Sequence, residues 1–243
     1  VSSSMNRPIL EHYSGIEAIG IFAVANKFPL LISMLYTVFT YSWQISVLDE
    51  FGKPGYREFY NKVFRVQLLV FVLFVLGITF FCHSLIKLMT TTDYYEAGQY
   101  VPILSLAVVF SNLAGFVGTN FSATKESRHY FTTSLWSGLL CLVLNFLLIP
   151  FCGIWGVIVS LLFSNILMFC LRIRKTQAYS PITNVGLCLQ LLLVVGGYIA
   201  LFYWTESHWV HTLGLLLALA VVILLNKDFL SEAYSICKRL VKK

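Results

Sequence analysis

Seven long apolar runs, parted by short polar or charged loops, decide most of what this chain can become. A run near 20 residues is the length a helix needs to cross the hydrocarbon core of a bilayer. The runs fall at about residues 16–48, 63–89, 101–123, 131–149, 154–171, 182–204 and 210–225. Composition agrees: 58% of residues are hydrophobic and 12% charged, where a soluble domain carries about 25% charged residues. The fold class expected is therefore an all-α polytopic membrane protein with seven full spans, preceded by an N-terminal helix stub. The chain begins with Val1 and not Met, and residues 1–15 read as the end of a truncated helix followed by an outer turn. They contain no apolar core of signal-peptide length.

Lys and Arg set the orientation. Alternate loops and the tail hold fourteen of the 17 basic residues, in the groups Lys53, Arg57, Lys62 and Arg65; Lys125 and Arg128; Arg172, Arg174 and Lys175; and the tail from Lys227 to Lys243. The positive-inside rule then makes the tail and the loop after the first full span cytoplasmic. The net charge of +6 follows from that asymmetry and calls for no nucleic acid. In the tail, residues 227–243, apolar side chains recur at helical spacing beside Lys238, Lys242 and Lys243. That is the pattern of an amphipathic basic helix on the inner leaflet.

The chemistry is limited by what is missing. The six cysteines show no C-x-x-C pairing and read as small core residues. No phosphate-cradling P-loop or nucleophile elbow is present, and His208 and His211 lack a third ligand, so no catalytic residue, metal site or cofactor is expected. Outer loops of about ten residues leave little room for the acids and bases of a membrane glycosyl polymerase or ligase. Enzyme activity is not expected; transport is.

The first run carries the candidate transport surface. Asn26, Ser33, Thr37, Thr40 and Gln44 share one helix face. Lys27 lies beside that stripe, about 16 Å into the helix at 1.5 Å per residue, where a charge is costly. In the third run Ser105, Asn112 and Thr119 share a face beside Gly115 and Gly118, which permit close helix approach. Asn112, Asn145 and Asn165 could each serve as an interhelical hydrogen bond. No Asp or Glu falls well inside a run, so the one buried charge is positive and favours an anionic substrate.

Three stretches carry a family resemblance. N-R-P-I-L-E-H-Y-S-G-I-E-A-I-G-I-F-A-V-A-N-K (residues 6–27), Y-Y-E-A-G-Q-Y-V-P-I-L-S-L (94–106) and L-N-F-L-L-I-P-F-C-G-I-W-G-V (144–157) resemble, in order, motifs of Wzx-type O-antigen and polysaccharide flippases. That family belongs to the multidrug/oligosaccharidyl-lipid/polysaccharide exporter superfamily. The sequence departs from the pattern at Asn6, where Asp is common, at Phe22 for Tyr, and at Phe151 for Lys.

The resemblance implies the C-terminal helical lobe of a MATE-like exporter fold (residues 16–172, five spans) plus two extra transmembrane helices (173–226). It also implies the function, flipping an undecaprenyl-pyrophosphate-linked oligosaccharide across the bacterial inner membrane by alternating access, for O-antigen or other surface polysaccharide synthesis. Arg7 and Lys27 match basic positions of the family and by that likeness contact the anionic head group. The implied partners are the lipid-linked anionic oligosaccharide, membrane lipids and a missing N-terminal transporter half. The alternatives are a drug/cation antiporter of the same superfamily, a C-terminal fragment with no function of its own, and, less favoured, a membrane polymerase or ligase.

Overall fold

The computed structural model describes residues 2–177, 182–183, 185–205, 207–227 and 229, without the side chains of residues 2–5 and 7. The basic tail beyond residue 229 lies outside the described residues, as does the side chain of Arg7. Helices α1 (Ser2–Glu50), α2 (Tyr56–Met89), α3 (Val101–Ala123), α4 (Ser127–Cys152), α5 (Ile154–Thr176), α6 (Val185–Trp204) and α7 (His208–Leu225) follow in order, with a 3-10 helix, Thr92–Gln99, before α3. All seven α-helices are long and apolar enough to cross a membrane. This is the all-helical, seven-span chain that the hydropathy requires.

The stub and the first run meet at Gly15. Its φ of 81° and ψ of 177° break an otherwise helical backbone in a region that only glycine enters readily. The stub is fastened to α4: Asn145 Nδ2 donates to Asn6 Oδ1 at 2.7 Å, with both residues fully buried. Helical dihedrals continue through Pro29, so the bend in α1 belongs to Gly15. Just beyond this attachment, at the C-terminal end of α4, Gly153 adopts φ 53° and ψ −124° and turns the chain directly into α5.

The chain divides into two compact units, Val1–Thr183 and Asn184–Lys243. In the first, α3 is the innermost helix, with most of its apolar length buried, whereas α4 leaves much of its surface exposed. An aromatic core joins α1, α2 and α3. Trp43 stacks on Phe116 with centroids 4.5 Å apart, and its indole N–H donates to Thr119 Oγ1 at 3.0 Å. Tyr60 and Phe64 pack on the same Phe116 ring. Polar links hold α5 in place: Asn165 Nδ2 donates to the Ala107 carbonyl of α3 at 3.0 Å, and Ser137 Oγ of α4 donates to the Ser164 carbonyl at 2.8 Å. In the second unit α6 and α7 pack against each other.

Several boundaries differ from the sequence reading; α4, for one, begins early, at Ser127. α2 begins at Tyr56, before its apolar run, because Y-R-E-F-Y-N-K is helical and Glu58 pairs with Lys62 at 3.4 Å. α5 runs through R-I-R-K to Thr176 instead of stopping there. The segment before α3, which carries Asp93 and Glu96, is not a loop but the 3-10 helix Thr92–Gln99, whose Tyr94 ring packs close to Gly20 of α1. Of the cysteines, Cys82, Cys141 and Cys188 are buried, whereas Cys152 and Cys170 lie exposed and are not core residues.

Candidate functional site

A cleft of about 500 Å³ opens between the C-terminal part of α1, the C-terminal half of α3 and the N-terminal part of α4. Thr40 and Gln44 enter it from α1, Gly118 and Ser122 from α3, and Ser127, Tyr130 and Ser134 from α4. Two members of the predicted stripe therefore do line a cavity. The Gln44 amide and the Ser122 and Ser127 hydroxyls make no hydrogen bond within the described residues and remain available, whereas Thr40 Oγ1 donates to its own helix at the Tyr36 carbonyl, 2.8 Å away.

Behind the cleft lies a residue that the sequence reading counted as a loop base. Arg172 of α5 is 2% exposed. Its Nη1 donates to the Ala114 carbonyl at 2.7 Å, its Nη2 to Ser134 Oγ at 2.9 Å and its Nε to Thr133 Oγ1 at 3.3 Å. The guanidinium also lies 4.2 Å from the centroid of the Tyr130 ring. No carboxylate among the described residues pairs with it. Burying a cation costs several kcal/mol unless its donors are met, and here a main-chain carbonyl, two hydroxyls and a ring face meet it. Ala114 stands nine residues before Ala123, the end of α3, so the charge reaches about 13 Å inward along that helix at 1.5 Å per residue.

Gly118 makes this arrangement possible. A Cβ there would stand 2.8 Å from Arg172 Nη1 and 3.0 Å from the Tyr130 ring. Arg174 and Lys175, from the same basic cluster, are exposed. One signal for the buried arginine was present in the sequence. Gly156, Ser160 and Ser164 recur every four residues, a small-residue stripe of the kind that packs helix against helix, and the same register continues to Arg172 and Thr176. All five are buried.

The remaining predicted residues are spread along α1. Ser33 and Asn112 meet between α1 and α3, with Asn112 Nδ2 3.4 Å from Ser33 Oγ; Asn112 thus makes the interhelical bond weighed for it from sequence. Asn26 is half-buried, and Thr37 is exposed with its hydroxyl donating to the Ser33 carbonyl. The stripe therefore follows the seam between the packed and open sides of α1. Lys27 is exposed. It lies thirteen residues before Thr40, about 20 Å along the helix, and does not border the cleft.

The fold has a counterpart among solved structures. The lipid II flippase MurJ, in its inward closed conformation, matches with a TM-score of 0.70 at 16% sequence identity, over 96% of this chain and 51% of that one. The chain thus spans about half the length of that flippase structure. No protein-family model and no curated protein matches the sequence. At that identity the likeness is one of fold: a helical lobe of the same architecture.

Proposed function

We propose that this chain forms one lobe of a flippase that moves an undecaprenyl-pyrophosphate-linked oligosaccharide from the inner to the outer leaflet of a bacterial cytoplasmic membrane, supplying O-antigen or another surface polysaccharide. The observation that carries the reading is the fold: almost the whole chain follows half of a lipid II flippase. The polar cleft, and the buried Arg172 behind it that pairs with no carboxylate among the described residues, support it. Transport proceeds by alternating access, with the substrate held between this lobe and a second one. Lys27 and the polar seam of Asn26, Ser33, Thr37, Thr40 and Gln44, with Asn112 beside it, form the face toward the substrate; Arg7 joins them by the family likeness alone. The basic loops and tail lie on the cytoplasmic side.

Complementation tests this. A flippase-null strain regains surface polysaccharide when the chain is expressed together with a second lobe encoded upstream, and does not when the chain is expressed alone. An upstream region without membrane helices would remove the basis for the two-lobe reading.

A further inference from the structure

Helix α6 has two unlike faces. Cys188, Leu191, Val195, Tyr198 and Ile199 are buried, in a unit where α6 packs against α7. On the opposite side Gly186, Gln190, Leu193, Gly197, Ala200 and Trp204 are all exposed. Their spacings of four, three, four, three and four residues keep them on one seam from end to end of the helix. Two glycines and an alanine leave that seam shallow, the kind of surface on which helices approach closely in a bilayer. The exposed side of α7 is different. It carries Leu213, Leu216, Leu217, Ile223 and Leu224, side chains as apolar as the acyl chains of a lipid.

Gln190 argues that the occupant of the α6 seam is protein and not lipid. It is the one amide side chain in α6 and α7. It stands five residues inside the helix, about 8 Å from Val185, and makes no hydrogen bond among the described residues. An amide in hydrocarbon is costly without a partner, because no water reaches it. Its partner must offer a donor and an acceptor at the same depth, on a helix that can come close. A second Gln190 meets both conditions. An amide carries its own complement, and every copy of the chain inserts the same way round. A two-fold axis along the membrane normal then sets Gln190 opposite Gln190 and glycine opposite glycine.

We propose that this seam is a homodimer interface, in which two copies of the chain pair through parallel α6 helices. A reciprocal amide hydrogen bond at Gln190 fixes the register, and Gly186, Leu193, Gly197 and Ala200 supply the packing. The alternating spacing of three and four residues suits a left-handed crossing of about 20°. The interface lies within the two-helix unit and is independent of what the transporter carries.

The full chain, fluorescently labelled, is reconstituted in liposomes at several protein densities, and its subunits are counted by single-molecule photobleaching. A dimer fraction that rises with density is expected. Gln190→Leu should weaken dimerisation roughly three- to thirtyfold, the range of an interhelical polar bond in a membrane. Gln190→Asn should keep most of it, and Leu216→Ala, on the exposed side of α7, should change nothing. Folding should persist in Gln190→Leu, which only replaces an exposed polar group of the span by an apolar one. Disulfide cross-linking gives a second readout, with the native cysteines replaced by alanine. Oxidation should join two chains at Gly197→Cys and Ala200→Cys, and not at Val195→Cys on the buried side.

Chains that stay monomeric at every density, dimers indifferent to Gln190→Leu, or cross-links that ignore the seam overturn the interface. Monomers that lose affinity for a second transporter lobe on Gln190→Leu would assign the seam to that lobe, and overturn the homodimer too.

Discussion

Arg172 Nη1 lies 2.7 Å from the carbonyl oxygen of Ala114, so one arginine near the end of α5 is anchored on the middle of α3. A basic side chain near a helix end usually snorkels outward to water. This one turns inward, and it does so where Gly118 clears its path and Tyr130 and Ser134 of α4 receive it. Three helices are tied at one charged group, directly behind the polar cleft.

Gly118→Ala should break that tie. Its methyl group would press on both the guanidinium and the Tyr130 ring, an overpacking cost of about 1–3 kcal/mol. Denaturant unfolding of the purified chain should show the loss, and Gly138→Ala, where a Cβ meets nothing within 4 Å, should not. Equal stability of the two variants would contradict the packing described.

The Asn6–Asn145 bond should carry the attachment of the stub. Asn145→Leu leaves the Asn6 amide buried without its partner, at a cost of about 1–3 kcal/mol. Limited proteolysis should then cut sooner on the N-terminal side of Gly15, while sites within α3 stay protected.

Gly15→Ala should strain the kink. No neighbour crowds the position, so the penalty is purely conformational, about 1–3 kcal/mol for a side chain held in that region. A stability unchanged by the substitution would mean that the stub can straighten without cost.

Lys27→Ala tests the other basic position. The side chain is exposed, so protein level and membrane insertion should be unchanged while surface polysaccharide is lost. Normal polymer export by the variant would remove Lys27 from the substrate path.

Much of this architecture is legible in the residues. Apolar length placed all seven helices, and Gly153 with Pro150 marked the α4–α5 turn to within a few residues. The start of α2 was hidden because Tyr56 to Lys62 is amphipathic and charged, helical by local ion pairing and not by hydropathy. The stripe on α1 followed from a period of 3.6 residues, yet periodicity does not say which neighbour a face meets. Ser33 and Asn112 turned out to bond to each other, and Thr40 and Gln44 to line the cleft. Arg172 was missed because charge counting treats R-I-R-K as one loop cluster, whereas a helical turn sends Arg172 inward and leaves Arg174 and Lys175 exposed. Only the Gly156, Ser160, Ser164 register separates them.

The proposed flippase would carry a lipid-linked oligosaccharide across the membrane. The most direct measurement is the leaflet distribution of that lipid in flippase-null cells expressing the complete transporter, read by labelling the sugar from the periplasmic face of spheroplasts. The account predicts labelled lipid-linked sugar in the outer leaflet, lost in the Lys27→Ala transporter. Sugar that stays inaccessible from the periplasmic face, with the protein inserted at normal levels, would contradict it.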